Sequence, residues 1–243
     1  MNIVEVSSQA AEDTAFASGV DGVIRTDLLS ANNDIYLNFD GVNGSKDILC
    51  DDISNNIVFN IGGCSRDTSV KKFGTASLKT GIGQYLVIPK SNGMDFSQDF
   101  TMEVDVKLSV ANNNNWTFLA SFGIYANLNS AWYVAIRNST IVFCNANNHA
   151  SISATYPYYT DITNLHNVSL DRVGDTISLY AGGNILGSTT DIPYNGVGDL
   201  YVGGWNYTTA NTNGANFDEF KLTSNRALRT GNFTPDTVPF KVI

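Results

Sequence analysis

The chain has 243 residues and a formal net charge of −9, a balance that disfavours binding to a phosphate backbone by charge and so argues against a nucleic-acid partner. No stretch approaches the roughly 20 consecutive apolar residues of a bilayer-spanning helix, so no membrane insertion is expected. Thirteen Phe, eleven Tyr and three Trp supply aromatic area for one core, and a β-sandwich of this size is ordinary as a single unit.

Residues 1–33 are polar and mildly acidic and precede the first recognisable strand. They read as an extended N-terminal arm, a docking segment for a partner or, as the alternative, a segment that packs back on its own sandwich, with 34–243 as one domain. The opening MNIVEVSSQAAEDTAF lacks the basic start and apolar run of a secretory signal, which predicts synthesis and folding in a cytoplasm. Three cysteines, Cys50, Cys64 and Cys144, leave at least one unpaired, suit a reducing compartment, and read as small buried apolar residues.

From Ile35 onward, short apolar runs alternate with Gly, Asn and Asp clusters. Phe100, Met102, Val104, Val106 and Leu108 interleave with Thr101, Glu103, Asp105 and Lys107. That period of two predicts an antiparallel strand with one face in a core and the other in water. Ile177, Leu179 and Ala181 repeat the pattern, and Arg172-Val173-Gly174-Asp175 between two such runs reads as a hairpin turn. No apolar stretch at helical spacing exceeds about three turns. The expected fold is all-β: an antiparallel two-sheet β-sandwich.

The C-terminal stretch Phe217-Asp218-Glu219-Phe220-Lys221-Leu222, then Asn225-Arg226-Ala227-Leu228, Asn232-Phe233-Thr234-Pro235 and Pro239-Phe240 resembles the closing signature of LamG-like jelly rolls. These belong to the concanavalin A-like lectin/glucanase superfamily, and the form resembled is the one found in bacteriophage virion proteins. Upstream segments match in order: Ile35 to Gly41 (IYLNFDG), Lys72 to Leu78 (KFGTASL), Gln84 to Pro89, Asp99 to Leu108, His166 to Gly183, and Leu200 to Trp205. The resemblance spans about residues 34–240. It departs from the family at Asp105, Leu165 and Ala181, and at Gly182-Gly183 in place of an Asp-Gly turn.

The resemblance implies a concanavalin A-like jelly roll and raises the question of glucanase chemistry. Glucanases of the superfamily carry E-x-D-x-x-E, whose carboxyls flank the scissile bond. Here Glu103 and Asp105 match, but Leu108 stands where the proton donor must be. Without that acid neither departure nor deglycosylation is assisted, so no catalytic residue and no required cofactor are assigned. Glu103 and Asp105 read as solvent-facing strand residues. His166 reads as a structural strand position.

A structural Ca²⁺ is the one ion the resemblance brings in, with Asp40 and Asp218 on neighbouring terminal strands as its candidate ligands. The competing reading is that Asp40 caps a turn and Asp218 hydrogen-bonds backbone. Carbohydrate binding requires an aromatic platform flanked by amides. Four loops offer these: Asn112 to Trp116, Asn145 to His149, Tyr156 to Tyr159, and Trp205 to Asn213. The residues singled out are Tyr156, Tyr158, Tyr159, Trp205, Asn206 and Tyr207. Polar soluble turns, or tyrosines that seal a rim, are the alternative.

Three functions follow. The first is a non-enzymatic structural protein of a phage particle, multicopy or homo-oligomeric. It is held to other virion proteins through the arm and displays a jelly roll with weak, multivalent host-glycan adhesion. The second is a dedicated receptor-binding adhesin. The third, a glycan hydrolase, is demoted by Leu108.

Overall fold

The computed structural model describes residues 34–47, 58–90, 94–111, 114–123, 131–145, 149–191, 193, 195, 198–205 and 213–239. These residues form strands and connections with no helix. The strands are β1 (Ile35–Leu37), β2 (Phe59–Ile61), β3 (Ser65–Asp67), β4 (Ser77–Lys79), β5 (Tyr85–Ile88), β6 (Phe100–Leu108), β7 (Thr117–Gly123) and β8 (Ala131–Arg137). They continue as β9 (Thr140–Asn145), β10 (His149–Thr155), β11 (His166–Val173), β12 (Thr176–Ala181), β13 (Asn184–Thr189), β14 (Leu200–Val202) and β15 (Ala215–Ser224).

Two antiparallel sheets pack face to face. Sheet A runs β13-β12-β11-β6-β15-β4-β3, with β1 also paired to β15; sheet B runs β10-β9-β8-β7-β14-β5-β2. The expected hairpin is present: β11 turns into β12 through Gly174, whose φ is +57°. The arm over residues 1–33 and Cys50 lie outside the described residues. Cys64 and Cys144 are free and buried, and burial pushes the Cys64 thiol up to about 12.

The core between the sheets follows from the alternation. Sheet A contributes Phe100, Met102, Val104, Val168, Leu170, Leu179, Phe217 and Phe220; sheet B contributes Leu86, Leu119, Phe122, Trp132, Val134, Phe143 and Val202. Phe96 lies at its centre, edge-on to Phe100 at 5.3 Å and to Trp132 at 5.1 Å. Each such ring contributes roughly 2–3 kcal/mol when fully buried.

The outer face of sheet A corrects the expectation of a solvated strand. Glu103 and Asp105 are 2% and 3% exposed. Two segments distant in sequence cover them. Arg229 of the tail pairs with Glu103 at 3.1 Å, Leu228 N–H donates to Thr101 Oγ1, and Lys72 Nζ meets Asp105 at 2.8 Å. Lys221, fully buried, lies 3.6 Å from Glu103, and Asn167 donates to Glu103 at 2.8 Å. Buried charges persist because they are paired and hydrogen-bonded. The tail continues over β12: Arg229 stacks on Phe233 at 4.4 Å, and Phe233 N–H donates to the Gly183 carbonyl at 2.9 Å.

The Gly182-Gly183 turn is fixed by close packing on both residues. Both residues have positive φ, +56° and +78°; a Cβ on Gly182 would collide with the Tyr158 hydroxyl, and one on Gly183 with the Phe233 carbonyl. A side chain at the first position therefore has no room beside Tyr158.

A bulge in β15 organises the other end of that face. Asp218 pairs with Asp105, yet Lys221 pairs with Glu103, and Glu219 takes φ +51°. At this shift the neighbour on the far side of β15 changes from β4 to β1. The turn 72–76 fills the gap. Asp218 Oδ2 accepts from Lys72 N–H at 2.7 Å and Phe73 N–H at 3.3 Å; Asp40 Oδ1 accepts from Thr75 N–H, Thr75 Oγ1 and Ala76 N–H.

Candidate functional site

The outer face of sheet B carries an apolar cluster separate from the main core: Phe118, Ala131, Tyr133, Ala135, Val142, Cys144 and Trp205, with Trp116 packed on it. Local sequence explains its position. Along β8, Trp132, Val134 and Ile136 enter the main core, so Ala131, Tyr133, Ala135 and Arg137 face outward. In β7 the register shifts between Phe118 and Ala120, which leaves Phe118 outside while Leu119 and Ala120 both lie in the main core. After β14, Gly203 at φ +79° lets the chain turn, and Gly204 passes so close to Tyr85 that a Cβ would lie 2.5 Å from the Tyr85 Cβ and 2.9 Å from its ring. Trp205 is thereby laid on Tyr133.

The rings interlock. Tyr133 and Trp205 are 4.7 Å apart, Phe118 meets Trp205 and Tyr133 at 5.3 Å each, and Trp116 lies 6.2 Å from Phe118 and 6.3 Å from Tyr133. Trp116 is the half-buried lip of the cluster; beside it Arg137 is exposed, with its guanidinium 5.4 Å from the Trp116 ring centre. Burial pushes the Cys144 thiol up, partly offset by a hydrogen bond from Tyr133.

Asn213 meets the segment 114–116 here. Asn213 N–H donates to the Trp116 carbonyl at 2.7 Å, and its amide donates to the Asn115 carbonyl at 3.0 Å. Residues 114–116 and Asn213, separate in sequence, thus form one rim. Asn206 and Tyr207, expected in this rim, lie outside the described residues.

Other expected site residues are distributed differently. Trp205 is 7% exposed, so it is the floor of the cluster and not an open platform. Tyr156 is 1% exposed and packs in the main core, which corrects its assignment as a surface contact; burial raises its phenol far above the usual range. Tyr158 and Tyr159 are half-buried against that core. Tyr158 stacks on His166 at 3.9 Å and 2°, and His166 Nε2 is 2.8 Å from Asp161. Hydrogen bonds from Asn164, Thr163 and His166 hold the Asp161 carboxyl well below the usual range. These tyrosines belong to the sheet A side and do not join Trp205.

The two calcium candidates, Asp40 and Asp218, lie against a hydrogen-bonded turn. Asp218 Oδ2 and Asp40 Oδ1 accept from N–H groups of the turn 72–76, Asp218 Oδ1 accepts from Glu219 N–H, and no group of three or more His, Cys, Asp or Glu able to hold a metal occurs among the described residues. Glu103 and Asp105 lie in ion pairs beneath the tail and turn, and the Leu108 side chain is in the main core.

From sequence, Trp116 is reached only as the end of the Asn112–Trp116 loop, and Phe118, Tyr133 and Arg137 are not singled out. The available signal was β8 itself, AWYVAIR, which is apolar on both faces. An outward sheet face that carries rings signals a covered or ligand-binding surface.

No protein-family model matches the sequence, and no curated protein matches it. Solved structures share the fold. The binding domain of Paraclostridial Mosquitocidal Protein 1 aligns with TM-score 0.60 at 12% identity, over 81% of this chain and 49% of that one. The binding domain of botulinum neurotoxin DC in complex with SialylT aligns with TM-score 0.54 at 12% identity, over 73% and 45%. A Trypanosoma rangeli sialidase aligns with TM-score 0.58 at 16% identity, over 90% and 36%. This chain therefore spans half or less of each neighbour's length. The likeness establishes the fold alone, an antiparallel two-sheet β-sandwich.

Proposed function

We propose that the chain is a non-catalytic, lectin-like binding module that engages host-surface carbohydrate at the outer face of sheet B. The observation that carries this reading is the cluster of Trp116, Phe118, Tyr133 and Trp205, with the Asn213 amide bonded to the Asn115 carbonyl at its edge. Rings bury the apolar face of a sugar, and amides hydrogen-bond its hydroxyls. The burial of Glu103 and Asp105 in ion pairs supports a role without hydrolysis. Neighbours whose titles name binding domains, one with SialylT, support the class of function by fold likeness alone.

The setting we propose is a bacteriophage particle, as decoration or tail-associated protein, with residues 1–33 as the docking arm of the domain 34–243. This rests on the tail's resemblance to virion jelly rolls. One half-buried indole adds on the order of 1 kcal/mol beyond its area, so each site binds at roughly millimolar affinity and depends on many copies. The test is the full chain clustered on beads and applied to a broad glycan array, beside Trp116→Ala. The expected result is retention of defined glycans by wild type and not by the variant. Clustered protein that ignores every glycan would leave particle decoration as the whole role.

A further inference from the structure

We infer that Arg137 makes the sheet B site selective for carboxylated sugars; this deepens, and rests on, the carbohydrate reading above. Arg137 ends β8 on the outward face and is exposed. Its guanidinium is fixed twice, by Nε donating to the Asn114 carbonyl at 2.7 Å and by the Trp116 ring 5.4 Å away. Both restraints leave the terminal nitrogens without a protein acceptor among the described residues.

The other described arginines differ. Arg66 donates terminally to Ser45 and Asp47, Arg172 to the Phe96 carbonyl, Arg226 to Asp34, and Arg229 to Glu103 and Asp236. In a chain of net charge −9, an exposed guanidinium held at Nε, with no acceptor at its terminal nitrogens among the described residues, is an exception to this pairing. A guanidinium fork matches the two oxygens of a carboxylate. Stacking on Trp116 reduces the freedom lost on binding, and the adjoining indole meets the sugar ring to which the carboxylate is attached. The same chemistry is offered by sialic acids and by uronic acids.

The experiment titrates the full chain with two matched pairs, 3′-sialyllactose against lactose and methyl glucuronoside against methyl glucoside, following tryptophan fluorescence. In at least one pair the acid should bind about fivefold to tenfold tighter than its neutral partner, the scale of an exposed charge-assisted contact. That advantage should shrink as salt rises and vanish in Arg137→Gln. Which pair responds identifies the source. Equal binding of acid and neutral sugar, or an acid preference that survives in Arg137→Gln, would overturn the inference while leaving carbohydrate binding intact. Failure of all four sugars would instead remove the carbohydrate reading beneath it.

Discussion

Asp218 and Asp40 divide a single turn between them. The first holds the N–H groups of Lys72 and Phe73, the second those of Thr75 and Ala76. Gly74, at φ +58°, sits where any Cβ would strike the Asp40 carboxylate. The motifs FDG, KFG and DEF are thus three parts of one carboxylate cradle. Burial and the adjacent Glu219 raise the Asp218 carboxyl well above the usual range, against the two backbone donors.

Chelation should therefore leave thermal unfolding unchanged, whereas Asp40→Ala should destabilise the fold by about 1–3 kcal/mol, because it strips acceptors from the turn. Paired melts with and without EDTA check both. A drop in melting temperature with EDTA would restore a structural ion.

Removing the tail's ion pair should be costly. Arg229→Met leaves the nearly buried Glu103 with Lys221 at 3.6 Å and the Asn167 amide at 2.8 Å, and a broken buried pair costs about 3–5 kcal/mol, less here because Arg229 is partly exposed. Urea unfolding should show a loss of about 2–4 kcal/mol, with Glu103→Gln in the same chain restoring part of it. A loss within error would mean the tail does not secure sheet A.

Asp171 gives the fold a pH dependence. Burial raises its carboxyl to about 7, although Ser169 and Thr101 donate to it. The unfolded chain releases that proton near 4, so between about pH 4 and pH 7 the folded state binds more protons. This contribution is fully present below about pH 4, falls as pH rises towards 7, and is level above. Asp171→Asn should flatten that slope in denaturation measured across the range; an identical slope would assign the effect elsewhere.

Gly183→Ala should cost about 2 kcal/mol or more, from its left-handed φ and the collision with the Phe233 carbonyl. Limited proteolysis should then cleave within residues 226–239 faster than in wild type. Unchanged cleavage would mean the tail does not depend on that close approach.

The segments that resemble a family became strands: IYL is β1, YLVI is β5, FTMEVDVKL is β6, and the C-terminal signature is β15 and its strap. Period-two alternation revealed which side of β6 enters the main core. It could not reveal that Arg229, 126 residues from Glu103, returns to cover the opposite side. The rim was legible only loop by loop. Asn213 and Trp116 meet through the pairing of β14 with β7, and no local pattern encodes that pairing. Tyr156 misled because a Tyr-Pro-Tyr-Tyr run looks like a surface loop, whereas its first ring turns inward.

The central claim concerns the outer face of sheet B, and the chain's three tryptophans provide a direct test. Trp116 is at the lip of the cluster, Trp205 on its floor, and Trp132 between the sheets. Indole N–H resonances of the labelled full chain, followed as sugar is raised to roughly ten times a millimolar dissociation constant, should move saturably for Trp116 and Trp205 and stay fixed for Trp132. Three stationary indoles, with neutral and acidic sugars alike, would contradict the account.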